Sequence, residues 1–186
     1  MNMVYVHLAD GFEEIEALTA VDLLRRAGIE TETVSVAGRL PVTGAHGIEV
    51  IADILFEDAV YERCEVIVLP GGMPGAANLD AHEGLREKLL SFFNQGKWLA
   101  AICAAPMVLG HAGLLAGKEA ACYPGFEKEL EGARVSREDV CVSGKVITSR
   151  GPGTAMVFAL AIIEALKGSE IKKQIAEDLL LSFHSE

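Results

Sequence analysis

The chain of 186 residues is 51% hydrophobic and 23% charged. That is an ordinary globular composition, long enough for one substantial core, and no Pro/Ser-rich or charged linker divides residues 1–186 into separate domains. Its 27 acidic residues against 16 lysines and arginines leave a net charge of −11, which opposes attraction to nucleic-acid phosphate or to an anionic membrane surface. No apolar run is long enough to span a bilayer and the first ten residues lack a basic n-region, so a soluble, cytoplasmic protein is expected.

In chain order, Val4 to Leu8 reads as a strand and Phe12 to Ala27 as a helix stopped by Gly28, with Asp10 and Glu13 at capping-box spacing. Thr31 to Val36 is a second strand. Leu40 to Ile51 holds two short extended pieces around Thr43-Gly44-Ala45-His46-Gly47. Val66 to Leu69 is a buried strand running into Pro70-Gly71-Gly72, and Leu85 to Asn94 is a helix. Trp98 to Ile102 is a strand ending at Cys103, followed by a helix around Met107 to Leu115 with Pro106 suited to its first turn. Glu119 to Cys122 is a short strand, Asp139 to Thr148 a hairpin turning at Ser143-Gly144, and Thr154 to Leu166 a long apolar helix. This alternation predicts an α/β sandwich whose mainly parallel sheet is covered by helices on both faces. Ligands then bind beyond the carboxyl ends of the strands, where the loops after Leu8, Leu69, Ile102 and Thr148 should gather.

Four cysteines, Cys64, Cys103, Cys122 and Cys141, are scattered without Cys-x-x-Cys spacing, and no histidine pair has metal-site spacing. Reduced thiols are expected, with Cys64, Cys122 and Cys141 filling apolar runs. Cys103 stands at a strand-to-helix junction, where a helix N-terminus favours thiolate over thiol. As an isolated pattern it also reads as a small buried hydrophobe, as most free cysteines are. Glu16 shares a helical stripe with Ala20, Leu23 and Ala27, beside a stronger stripe of Ile15, Leu18 and Val21. Buried there, it would carry a raised pKa and exchange protons; exposed, it would simply favour the helix N-terminus. Gly71 and Gly72 suit either an oxyanion hole of backbone N–H groups or a plain tight turn. Ser149-Arg150-Gly151-Pro152-Gly153-Thr154 lacks the phosphate-loop glycine and lysine pattern and reads as a helix cap, with Arg150 free for an anion contact.

Four segments in this order resemble the ThiJ/PfpI superfamily, within it the branch of the parkinsonism-associated deglycase. They are Gly11-Phe12-Glu13-Glu14-Ile15-Glu16, Val68-Leu69-Pro70-Gly71-Gly72, Ala100-Ala101-Ile102-Cys103-Ala104-Ala105-Pro106 and Thr148-Ser149-Arg150-Gly151-Pro152-Gly153-Thr154. The resemblance implies a flavodoxin-like three-layer sandwich, a homodimer, no cofactor or metal, and Cys103 as a nucleophile on a strained elbow. It also implies Glu16 as the acid bonded to the sulfur, Gly72 and Ala104 as oxyanion donors, and Gly71, Tyr123 and Arg150 in the substrate-binding set. Two departures stand out: Tyr123 occupies a place where deglycase members often carry histidine, and no histidine follows Cys103 as it does in the protease-like branch. His46 lies in a loop that in some relatives supplies an arginine to the neighbouring subunit's site. The implied activity is thiol chemistry on a small reactive carbonyl: Cys103 attacks a 2-oxoaldehyde such as methylglyoxal, and Glu16 moves protons until a hydroxy acid ester is released by water. The alternative is a redox-sensing or stress-protective chaperone in which Cys103 is oxidised to sulfenic or sulfinic acid.

Overall fold

A computed structural model describes residues 3–181. Strand β1 (Met3–Leu8) is buried throughout, and helix α1 (Glu14–Arg26) begins two residues later than its apolar pattern suggests. The late start decides the cap: Glu13 accepts the Glu16 N–H at 2.8 Å. Asp10 stands too far ahead to reach the first turn, and accepts instead from the Thr43 N–H and from Arg39. The expected ranking of the α1 stripes is also reversed. Glu16, Ala20 and Leu23 are buried, whereas Ile15 and Leu18 are 55% and 39% exposed and only Val21 of that stripe is covered. One helix face alone can meet the sheet, and the small Ala17 and Ala20 with Leu24 let α1 lie close there.

Strand β2 (Thr31–Ser35) follows, then the small hairpin of β3 (Pro41–Thr43) and β4 (Glu49–Ile51). Beyond the short edge strand β5 (Ile54–Leu55) come β6 (Cys64–Leu69), α2 (Gly75–Asp80), α3 (Glu83–Asn94) and β7 (Trp98–Ile102). Helix α4 (Pro106–His111) has Pro106 in its first turn, as expected, but ends four residues early. Strands β8 (Glu119–Ala120) and β9 (Arg134–Val135) form a separate parallel pair. The hairpin of β10 (Val140–Ser143) and β11 (Val146–Ser149) turns at Gly144 (φ +62°) and Lys145. Helix α5 (Ala155–Lys167) follows a single turn over Pro152–Thr154, and α6 (Ser169–Asp178) closes the described chain.

Seven strands form one sheet in the order β10-β11-β7-β6-β1-β2-β5, parallel except for β10. Period-two alternation sorts its side chains onto two cores. Val4, Val6, Val66, Val68, Ala100 and Ile102 pack with α1, α5 and α6 on one face; Tyr5, Ile67, Leu69, Leu99 and Ala101 pack with α2, α3 and α4 on the other. The result is a flavodoxin-like α/β sandwich. Chain direction across the sheet reverses between β1 and β6, so a crevice is expected beyond their carboxyl ends. The loops meet there: Glu13 N–H donates to Gly71 O at 2.9 Å, Gly75 N–H to Gly11 O at 3.1 Å, and Cys103 N–H to Ser149 O at 3.0 Å.

Candidate active site

Cys103 follows the last residue of β7 with φ +66°, in the left-handed region that a non-glycine residue adopts at a cost of about 1–3 kcal/mol. Neighbouring backbone holds it there. Its N–H donates to Ser149 O at 3.0 Å and its carbonyl accepts the Tyr123 N–H at 2.8 Å. The side chain is 8% exposed, enough to meet a small electrophile. Sequence patterns could not reveal these two braces, because both are backbone atoms of loops far along the chain.

Glu16, 1% exposed on the sheet-facing side of α1, reaches the same point. Its Oε2 accepts the Gly71 N–H at 2.7 Å, while Oε1 is buried without a hydrogen-bond partner among the described residues. Gly71 has no alternative residue: a Cβ there would stand 2.6 Å from Cys103 Cβ and 2.8 Å from Glu16 Oε2. Gly72 adopts φ +86°, and a Cβ on it would meet the Glu13 nitrogen at 2.5 Å. The Gly72 and Ala104 N–H groups donate to no backbone carbonyl among the described residues and bond the Cys103 sulfur instead. Glu16, Gly71, Gly72, Cys103 and Ala104 are thus brought together as the four segments suggested.

The electrostatics correct one expectation. Burial first, and the Glu16 carboxylate second, push the Cys103 thiol up to about 12, against the pull of the Gly72 and Ala104 N–H groups. Helix α4 is only six residues long, and its N-terminal field does not outweigh burial. Burial also raises Glu16 to about 7, while Cys103 and the Gly71 N–H act in the opposite direction and Glu13 adds to the rise. Burial thus favours the protonated form of both groups, and a proton leaving the sulfur has the Glu16 carboxylate beside it as acceptor.

Tyr123 lies at the mouth, 47% exposed, its ring edge 3.1 Å from the place where a Cβ on Gly151 would stand. The Ser149–Thr154 loop is closed by its own polar groups: Ser149 Oγ lies 2.6 Å from Thr154 Oγ1, which also accepts the Gly151 N–H. This is the expected helix-leading turn, with Arg150 partly exposed beside it. Every described histidine is engaged away from the sulfur. His7 meets Tyr61, His82 caps α3, and His111 bridges Asp80 and Glu129; His184 lies outside the described residues. His46 Nδ1 is 2.7 Å from Glu14 Oε2 and 4.0 Å from Glu13 Oε1. Burial raises the Glu14 carboxyl, but bonds from the His46 ring and N–H outweigh it and hold Glu14 below its usual range. Among the described residues, Glu13, Glu14 and His46 form a set whose ligand atoms, within 4.8 Å of one another, are close enough to hold a metal ion.

The profile of the DJ-1/PfpI family matches residues 2–165. The chain belongs to the DJ-1/PfpI family. That span contains every residue of the Cys103 site and leaves out α6. The solved structure of oxidised Toxoplasma gondii DJ-1 superposes with a TM-score of 0.94 at 41% identity, covering 98% of this chain and 100% of that one. Protein DJ-1 homolog B of Arabidopsis thaliana is 37% identical over 180 residues, 96% of this chain but 41% of the plant protein, so this chain spans less than half of that relative. The glutathione-independent glyoxalase DJR-1.2 of Caenorhabditis elegans is 36% identical over 173 residues, 91% of each chain.

Proposed function

We propose that this DJ-1/PfpI family member is a cofactor-independent cysteine enzyme that converts 2-oxoaldehydes, or their early adducts, to hydroxy acids without glutathione. The observation that carries this reading is the pairing of a strained Cys103 with a buried carboxyl whose pKa of about 7 suits proton transfer near neutrality. The name of the Caenorhabditis elegans relative supports the same class.

Glu16 takes the Cys103 proton as sulfur attacks the aldehyde carbon; a C–S bond forms and the carbonyl electron pair moves onto oxygen. The Gly72 and Ala104 N–H groups receive that oxyanion, and its protonation by Glu16 gives the hemithioacetal. Glu16 then removes the hydrogen of the former aldehyde carbon as a proton and returns it to the adjacent carbon, while the hydroxyl proton of the former aldehyde oxygen passes to the neighbouring oxygen through the enediol, leaving a hydroxyacyl thioester. Water cleaves the thioester, so methylglyoxal and one water become lactate and the thiol is restored. No histidine is required. Gly71 keeps the path between Glu16 and Cys103 open, and Tyr123 and Arg150 flank the entrance.

The test is incubation of purified protein with methylglyoxal and no glutathione. Lactate should form with wild type, vanish in Cys103→Ser and drop roughly 10²-fold or more in Glu16→Gln; undiminished lactate from Cys103→Ser would sink the reading. Redox sensing is the second reading, favoured by a close relative having been solved oxidised. Against it, oxidation draws on standing thiolate, and burial beside the Glu16 carboxylate favours the thiol form of Cys103. Mild peroxide followed by mass spectrometry separates the two, since sensing requires selective oxygen gain at Cys103. The exposed Ile15 and Leu18 on α1 offer an apolar face for the second copy of a homodimer.

A further inference from the structure

Beside the mouth lies a cleft of about 590 Å³ lined by Cys122, Glu127, Ser136, Arg137 and Arg150, among others. Pro124 and Arg150 line both this cleft and a smaller hollow of about 200 Å³ that also includes Tyr123 and Gly151. Each wall begins one residue from a brace of the nucleophile. Cys122 precedes Tyr123, whose N–H bonds the Cys103 carbonyl, and Arg150 follows Ser149, whose carbonyl accepts the Cys103 N–H. The cleft therefore adjoins the Cys103 elbow through the two segments that brace it.

Its charge is unusual for so acidic a chain. Arg25, Arg26, Arg39 and Arg63 each lie within 4.0 Å of a carboxylate. Arg137 and Arg150 make no hydrogen bond or ion pair among the described residues, although carboxylates outnumber cations overall. The acid lining the cleft, Glu127, spends Oε2 on the Gly125 N–H at 2.8 Å; its own N–H and that of Gly125 first, and the two arginines after them, hold its carboxyl below the usual range. Two guanidiniums against one carboxylate leave a net positive recess. Paired guanidiniums recognise oxyanions through forked, charge-assisted hydrogen bonds.

We propose that this cleft binds the oxyanion, carboxylate or phosphate, at the far end of the carbonyl substrate whose reactive carbon meets Cys103. The inference rests on the reading of Cys103 as the nucleophile and narrows its substrates from neutral 2-oxoaldehydes to those carrying an anionic tail. Arg137 and Arg150 hold the tail, and Ser136 lines the same wall.

The test has a binding arm and a kinetic arm. Inorganic phosphate and acetate are titrated separately into the ¹⁵N-labelled full chain, and amide shifts are followed by NMR. Saturable shifts at Ser136, Arg137 and Arg150 are expected, larger for whichever oxyanion the cleft prefers, and they should be lost in Arg137→Gln with Arg150→Gln. In the second arm, kcat/KM is compared for methylglyoxal, dioxovalerate and hydroxypyruvaldehyde phosphate. An anionic substrate should be favoured through KM by roughly tenfold per arginine, and the double substitution should erase that ratio. Arg137→Gln alone, on an exposed loop, repeats the measurement if the double variant folds poorly. Absence of shifts with either anion, or a preference that survives the substitutions, overturns the proposal. Shifts without turnover of any of the three carbonyls would overturn the enzymatic reading and leave an anion site.

Discussion

Replacing Glu16 by glutamine separates the proton held at the site from its shape. The amide oxygen still accepts the Gly71 N–H, but the group no longer ionises. In wild type, burial raises this carboxyl from 4.5 to about 7. The unfolded chain therefore loses the proton first, and stability falls as pH rises from about 4.5 to 7, then levels off. With the side chain 1% exposed, solvent screening is slight, and the loss is on the order of 3 kcal/mol across that window. His46 and His111 titrate nearby in both proteins, so the difference between the two stability curves isolates Glu16. Urea unfolding of wild type and Glu16→Gln should give a difference that moves in favour of the variant by about 3 kcal/mol from pH 4.5 to 7.5. Any constant cost of the unpaired amide N–H leaves that slope untouched. Parallel curves would show that Glu16 is not a buried acid with a raised pKa, and the proton-transfer step would lose its basis.

Gly71→Ala should abolish lactate formation and lower stability by about 1–3 kcal/mol in urea unfolding, because its Cβ would press on Cys103 and Glu16. His111, raised above 6.5 first by Asp80 and then by Glu129, contributes stability fully below pH 6.5 and loses it as pH climbs through the raised value. His111→Gln should accordingly cost more stability at pH 6 than at pH 9, and an equal cost at both would remove the ion-pair account. Ile15→Glu should convert a dimer to a monomer by light scattering, whereas an unchanged mass would place any dimer surface elsewhere.

Much of the fold was legible because β1, β6 and β7 are short apolar runs, and α3 and α5 carry clear helical periodicity. Helix α6 was not, since its Ser169-Glu170-Ile171-Lys172-Lys173-Gln174-Ile175-Ala176-Glu177-Asp178 stretch is mostly polar and owes its helical state to burying Ile175 and Ala176 against the core. The α1 faces depart from their apolar pattern for a related reason. Side-chain size points to Ile15 and Leu18 as core, but close approach to a sheet selects alanines, and sequence periodicity alone cannot rank the two stripes. At the site, Cys103, Glu16, Gly71, Gly72 and Ala104 were readable from motif order. The sign of the Cys103 shift was not, because burial and a neighbouring carboxylate are properties of the folded site, whereas the helix N-terminus is visible in sequence. Arg137 is not legible as a site residue, since nothing local in Val135-Ser136-Arg137-Glu138 distinguishes it; only the fold brings it into one cleft with Arg150.

Covalent chemistry at Cys103 can be watched by rapid-quench mass spectrometry during methylglyoxal turnover. A transient adduct with the mass of one methylglyoxal should appear on the peptide carrying Cys103 and decay as lactate accumulates, with Cys64, Cys122 and Cys141 unmodified. Lactate accumulating while Cys103 stays unmodified at every time point would contradict it.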